Sequence, residues 1–272
     1  MHNSGKKMAN DFDIHAQNYD AVFTHSTIGK AQRDRVYAYL EKELGTTNHL
    51  NILELNCGTG EDAAYFHQQG HHVIATDISE EMIAIAKQKH QDIRFQTLDI
   101  KTITPTTFDQ KFDLIFSNFG GLNCLSETQL RDFLATSETL LTKNGKLIMV
   151  IMPKNTLWER FYFLLKFQSK KAFRRNTKTA VHANVEGIQV PTWYYNPKDI
   201  TAFANLPDRQ AGAYTNPIHS KPIGIAIPPS YLEPYFKNKP RFMKLLITLE
   251  SWFQSPFWAK YADHFLISFE KK

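Results

Sequence analysis

The strongest constraint on the fold is an alternation that fills residues 51 to 151 of this 272-residue chain. "NILELN" (51–56) reads as a buried strand, "EDAAYFHQQG" (61–70) as a helix stopped by Gly70, and "HVIATD" (72–77) as a second strand. Ser79 is placed to cap a helix running to about Lys89, with Glu80 and Glu81 in its first turn favouring the helix dipole. "IRFQTLD" (93–99) alternates as a third strand and "FDLIFSNF" (112–119) is an apolar fourth. Ser126 and Gln129 have capping-box spacing ahead of "LRDFLATSETLL", and an Asn144-Gly145 turn leads into "KLIMVIM", a fifth strand. Strands and helices that alternate over short connections require crossover units, hence a parallel sheet covered on both faces.

After Met152 the alternation stops. "NTLWERFYFLLKFQSKKAFRR" is helical in period, and "GIQVPTWYY", a helix from Pro197, a helix through about Phe253 and a last strand "HFLISFEKK" follow. The expected architecture is one domain over 1–272. It comprises an N-terminal helical lid (1–45), a cofactor-binding core (46–152), an inserted α/β cap after strand five (153–205), and a C-terminal part (206–272) that completes the sheet.

In a doubly wound sheet the ligand sits at the C-terminal ends of the strands, and the turn after the first strand is the usual place. Here that turn is "NCGTG", residues 56 to 60. Gly58 and Gly60 allow close approach of backbone to a ligand. Asn56 stands where glycine is easier to explain, and asparagine is the side chain that best tolerates a left-handed backbone, so a positive φ is expected there. A dinucleotide fingerprint would set a pyrophosphate on the next helix, but Glu61 and Asp62 occupy its first turn. Two acids repel a phosphate and suit an ammonium group.

With these residues in hand, the chain resembles the class I S-adenosylmethionine-dependent methyltransferases. "LELNCGTG" is similar to their first motif, E/D-x-G-x-G-x-G, with Glu54 as its acid; "ATDISEEM" carries the ribose-binding acid at Asp77; "LDI" (98–100) matches the adenine loop; "FDLIFSNF" matches the fourth motif. "FDIHAQNYDAVF" resembles the family's leading helix, in which a tyrosine such as Tyr19 closes over the methionine moiety. The resemblance implies a Rossmann-like seven-stranded sheet and S-adenosyl-L-methionine as cofactor. It implies contacts from Asn56, Cys57, Gly58, Thr59, Gly60 and Asp62 in the turn, ribose on Asp77, and the adenine amino group on Asp99 between Ile78, Met82, Leu98 and Ile100. Asn118 and Phe119 would meet the sulfonium and the acceptor, and Arg33, or Arg35 beside it, is the candidate for the methionine carboxylate. No metal is implied.

The acceptor is less constrained. A hydroxyl or carbon acceptor of high pKa needs a base, and His25, His182, His219, His264, Tyr194 and Tyr195 are candidates, none of them forced into the site by a motif. Asn123, Trp158, Tyr162 and Trp193 are the candidate substrate contacts, in an aromatic-rich insertion that suggests a small apolar or aromatic molecule. Between Pro153 and Ala180 eight basic residues face one acid, Glu159, so this segment alone exceeds the chain's net charge of +5. Two alternatives follow: a lipid or membrane-associated substrate met through a basic amphipathic helix, and a nucleotide-like ligand bound without turnover. The N/D-P-P-Y/F signature of nucleobase methylation is missing from "SNFGGLN" (117–123), which disfavours nucleic acid. Cys57 and Cys124 form neither a disulfide framework nor a zinc pattern, no run approaches the length of a membrane helix, and a cytoplasmic location is expected.

Overall fold

The fold was taken from a computed structural model, which describes residues 19–47, 49–185, 188–205, 214 and 219–272. Its centre is the expected sheet. Strands β1 (Asn51–Leu55), β2 (His72–Asp77), β3 (Arg94–Thr97), β4 (Phe112–Ser117) and β5 (Leu141–Ile151) pair in parallel. A hairpin, β6 (Val181–Val185) with β7 (Ile188–Thr192), stands apart from them, and β8 (His219–Ile223) and β9 (His264–Glu270) finish the main sheet. The order is β3-β2-β1-β4-β5-β9-β8, with β9 antiparallel to both its neighbours. The direction of winding reverses between β1 and β4, which opens the crevice where a doubly wound sheet holds its ligand.

The parallel strands bury both faces, as their near-continuous apolar runs require. Leu53, Leu55, Ile115, Leu147 and Met149 pack on one side against helix α4 (Glu127–Leu140). Ile52, Leu114, Phe116, Ile148 and Val150 pack on the other against α1 (Thr27–Leu44) and α2 (Glu61–Gln68). The Ser126–Gln129 capping box forms, and Ser79 caps α3 (Glu80–Lys89) by accepting from the Met82 N–H. Each such cap contributes about 1 kcal/mol and fixes where the chain enters the helix.

Several boundaries differ from expectation. β3 stops at Thr97 because Asp99 turns the chain, accepting from the Lys101 N–H ahead of a 3-10 turn at Ile100–Thr102. β5 begins at Leu141 and runs through Asn144 (φ 63°), where a register shift against β4 absorbs the expected turn as an irregularity within the strand. The start of the leading segment, "FDIHAQN", lies outside the described residues; from Asp20 to Thr24 the chain forms a π-helical turn. Helix α1 is a fixed layer of the fold, with Val36, Tyr39 and Leu40 fully inside the core. Its N-terminus is held by Ser26 and by the Glu233 carboxylate, which accepts from the Thr27 and Ile28 N–H groups.

The insertion after β5 holds α5 (Leu157–Leu165), a short α6 (Ser169–Ala172), the hairpin, and α7 (Pro197–Ala204). Its end belongs to the core: Tyr195, Ile200, Phe203 and Ala204 join the cluster beneath α4, so the cap proper ends near Thr192. Helices α8 (Glu233–Phe236) and α9 (Pro240–Glu250) precede β9. With α5 and the start of α1 they enclose a third cluster around Ile28, Met243 and Leu246.

Candidate active site

The crevice is built from the β1 turn outward. Asn56 has φ 57°, as its residue type led us to expect, and its amide donates to the Ser117 hydroxyl at the end of β4. That bond ties the two strands together at the point where the winding reverses. Gly58 (φ 53°) and Gly60 (φ 87°) continue the left-handed path, and a Cβ on Gly60 would stand 2.8 Å from the Phe95 ring. No other residue fits there without repacking.

Asp77 ends β2 and faces this turn. Its Oδ2 accepts from the Gly58 N–H at 2.9 Å and its Oδ1 from the Ser79 N–H at 3.0 Å, so the carboxylate is pre-oriented from both sides. Near it, Ile78, Leu98 and Ile100 are half-buried and Met82 is buried; the Leu98 N–H donates to the Asp77 carbonyl, and Leu98 and Ile100 pack against the first cluster. Cys57 is buried and its thiol pushed well up by burial, an inert packing residue rather than a nucleophile.

The acids of the site divide into two kinds. Asp62 is buried and engaged: it accepts from Arg33 Nε (3.0 Å), the Tyr37 hydroxyl (2.7 Å) and Asn118 Nδ2 (2.9 Å). Three of its roughly four lone-pair positions are thus used within the fold, two on Oδ1 and one on Oδ2. Arg33 is correspondingly committed through Nε to Asp62; burial works against its charge, yet Asp62 holds its pKa above the usual value. Its guanidinium lies 5.3 Å over the Phe119 ring. Glu54 is the other kind: it is 1% exposed, and its Oε2 has no hydrogen-bond partner among the described residues. Burial first, and then the Asp62 charge, push its carboxyl well above the usual range. The Arg33 charge works the other way and offsets only part of that rise.

Two contacts from the leading segment close on the turn, the first at the tyrosine the sequence singled out and the second at a residue it did not. Tyr19 lays its ring on Gly58, 3.4 Å from where a Cβ would stand, and its burial raises the phenol to about 12. Asp20, next in the chain, accepts from the Thr59 hydroxyl (2.5 Å) and from Lys89 Nζ (2.7 Å), latching the π-helical turn to the glycine turn and to α3. Burial opposes the Asp20 charge, but the hydrogen bond from Lys89 holds its pKa below the usual value. Nothing in residue spacing announces a latch between positions 20, 59 and 89.

At the end of β4, Phe119 carries φ 41°, a left-handed backbone unusual for a bulky residue and a sign of a constrained turn. The edge of its ring meets His264 at 5.4 Å between centroids. Because β9 runs antiparallel to β5, with Phe265 opposite Ile151, His264 stands at the ligand edge of the sheet. Its Nδ1 is 3.2 Å from Asp263 Oδ2, an ion-pair separation whose angle falls short of a full hydrogen bond. Asp263 is buried, which would raise its pKa, but His264 and then Arg175 hold it below the usual value.

The remaining candidates separate cleanly. The Tyr195 hydroxyl donates to the Leu125 carbonyl inside the core, and Tyr194 is buried beneath the Arg175 guanidinium, both phenols raised by burial. His25 and His182 are exposed, and the His219 side chain lies outside the described residues. Asn123 is fully buried and its amide is used on the Met152 and Trp193 backbone, so its expected substrate contact is corrected to a clamp for the insertion. Of the candidate substrate contacts, Trp158 and Tyr162 pack onto the third cluster and Trp193 onto the first.

Residues 52–145 match the family model described as "Methyltransferase domain". That segment is a methyltransferase domain, and the sheet order is that of the Rossmann-like class I methyltransferase fold. Among relatives of this methyltransferase, a non-reducing polyketide synthase of Metarhizium anisopliae is 32% identical over 120 residues, covering 38% of this chain and 5% of the synthase. The putative methyltransferase YqeM of Bacillus subtilis is 34% identical over 110 residues, covering 39% of this chain and 41% of that one. The chain thus spans well under half the length of these relatives. The solved Burkholderia thailandensis 1,6-didemethyltoxoflavin-N1-methyltransferase shares the fold with a TM-score of 0.58 at 18% identity, covering 100% of this chain and 89% of that one.

Proposed function

We propose that this methyltransferase binds S-adenosyl-L-methionine at the β1 turn and transfers its methyl group to a small, apolar or aromatic molecule. The observation that carries the reading is the unpartnered buried oxygen of Glu54 beside a left-handed glycine turn and a pre-oriented Asp77. These residues fit the cofactor by chemistry. Glu54 supplies a counter-charge for an ammonium, Asp77 can accept from two ribose hydroxyls, and the apolar Ile78, Met82, Leu98 and Ile100 suit an adenine ring, with Asp99 between the last two. The terminal nitrogens of Arg33 are what remains for a carboxylate. Tyr19 covers the site, and Thr59 is the post to which the covering turn is latched.

A sulfonium methyl donor supplies an activated carbon and needs in-line alignment more than it needs acid catalysis. Phe119 and Asn118 define the acceptor side, and an aromatic wall there favours a flat or apolar acceptor. Where the acceptor atom must lose a proton, His264 is placed to take it, with Asp263 holding the Nδ1 side of the ring.

Titration calorimetry with S-adenosylhomocysteine tests the cofactor reading, with NAD and a nucleotide sugar as controls. Binding of the first alone supports it; no affinity, or affinity that survives Asp77→Ala unchanged, rejects it. The bound complex then gives the acceptor cavity directly, and wild-type turnover by His264→Gln removes the histidine from the reaction.

A further inference from the structure

The helical half of the molecule carries an unusual surface. Among the described residues fourteen large hydrophobic side chains are exposed, and all but Val22 lie in two segments, 157–173 and 231–257. The segments are neighbours. Trp158 of α5 meets Phe236 of α8 edge-on at 6.3 Å, and Tyr162 meets Tyr231 at 6.0 Å. Their inner faces close the third cluster, so the outer faces of α5 and α9 are the ones left in solvent.

Helix α5 shows the pattern most clearly. Trp158 and Tyr162, one turn apart, point inward, whereas Phe161, Leu164 and Leu165 are 61%, 48% and 63% exposed. At the knuckle that ends the helix, Phe167 has φ 56° and is 97% exposed, an aromatic ring held entirely in water. A core has no use for such a residue, and isolated exposure on this scale across one region marks a contact surface.

The charge around it has one sign. Exposed cations surround both apolar faces: Lys166, Lys170 and Lys171 beside Phe167, and Lys239, Arg241 and Lys244 on α9. The acids of these segments all turn to the fold. Glu159 is buried between Arg174 and Arg175; Glu250 is buried and accepts four backbone N–H groups; Glu233 caps α1. No exposed carboxylate of either segment offsets the lysines.

We propose that this face docks the protein on an anionic lipid surface, with the Phe167 knuckle and the outer face of α5 entering the acyl boundary while the lysines meet the headgroups. Protruding single rings between lysines fit a fluid interface that moulds around them, whereas a folded partner needs a groove or a matched flat patch. No helix of the described residues is long and apolar enough to cross a membrane, so attachment is peripheral.

The test is sedimentation of the whole chain with phosphatidylcholine vesicles and with vesicles in which about a third of the lipid is anionic. Binding is expected on the anionic vesicles alone and weakens as salt rises. Phe167→Glu abolishes it without touching the core. Lys170→Ala with Lys171→Ala, and separately Lys239→Ala with Lys244→Ala, lower partitioning by about fivefold per lysine. Equal behaviour on the two vesicle types overturns the proposal, as does binding that none of these variants changes. So does a dimer, seen by analytical ultracentrifugation, that Phe167→Glu dissociates while vesicles bind nothing. Calorimetry with S-adenosylhomocysteine on the same variants should remain at wild-type affinity, which keeps a failure of this surface distinct from a failure of the cofactor site.

Discussion

Two buried glutamates, one in each half of the molecule, look alike by accessibility and differ in everything else. Glu250, at the end of α9, is 1% exposed and accepts from the Gly224, Ile225, Ala226 and Ile227 N–H groups at 2.6 to 3.3 Å. Glu54, at the end of β1, is equally buried, yet leaves one oxygen unpartnered and its carboxyl pushed well above the usual range by burial. The first carboxylate is a structural clasp for the loop after β8. The second leaves Oε2 without a hydrogen-bond partner among the described residues, at the end of β1 beside the glycine turn. Burial alone therefore says little about role; the number of satisfied lone pairs decides it.

The comparison can be broken most decisively at Glu250. Glu250→Ala leaves four backbone donors without an acceptor and should cost about 4 kcal/mol of stability, read by denaturant unfolding. Asp77→Asn, at the ligand edge, keeps one acceptor and sets an NH2 against the other backbone N–H, so it should cost about 2 kcal/mol of stability and weaken S-adenosylhomocysteine binding about 30-fold, measured by calorimetry.

Glu54→Gln sharpens the contrast through pH. An acid whose folded pKa is raised binds its proton more tightly in the folded state, so its contribution to stability is complete at or below the ordinary glutamate range. It is lost as pH rises from there towards the folded value. Wild type should lose stability across that window and Glu54→Gln should lose less, while binding the cofactor about tenfold more weakly. A Glu54→Gln variant as unstable as Glu250→Ala would make both glutamates structural.

The smallest effect is expected at Asn56. Glycine there relieves the positive φ but gives up the bond to Ser117, so Asn56→Gly should change stability by only about 0.5 kcal/mol, whereas Asn56→Val costs about 2 kcal/mol, both read by thermal unfolding.

The pattern of the chain showed the parallel sheet, its caps and the ligand edge, because each rests on signals within a few residues. Strand runs, Ser79, the Ser126–Gln129 box and the Gly58-Thr59-Gly60 turn are local matters of backbone and periodicity. What misled was partnership. Asp62 and Arg33 were read as separate ligand contacts, and the fold first pairs them with each other across 29 positions, through Arg33 Nε alone. Aromatic density in the insertion suggested a substrate lid, while Trp158 and Tyr162 turn inward to Met243 and Leu246, far along the chain. Tyr195 was a candidate base because sequence cannot show that its hydroxyl is closed on the Leu125 carbonyl within the core.

The sequence by itself determined the doubly wound architecture, the Asn56 turn and the likeness to the class I methyltransferases, because hydrophobic period and turn chemistry act over short range. Only the tertiary structure decided which acid is engaged and which is left open, that His264 and Phe119 meet at one edge, and that the apolar surface left over gathers on the helical half. The physical reason is that desolvation and hydrogen-bond satisfaction are set by neighbours in space, and residues 54, 62, 33, 119 and 264 become neighbours only when the sheet closes its order.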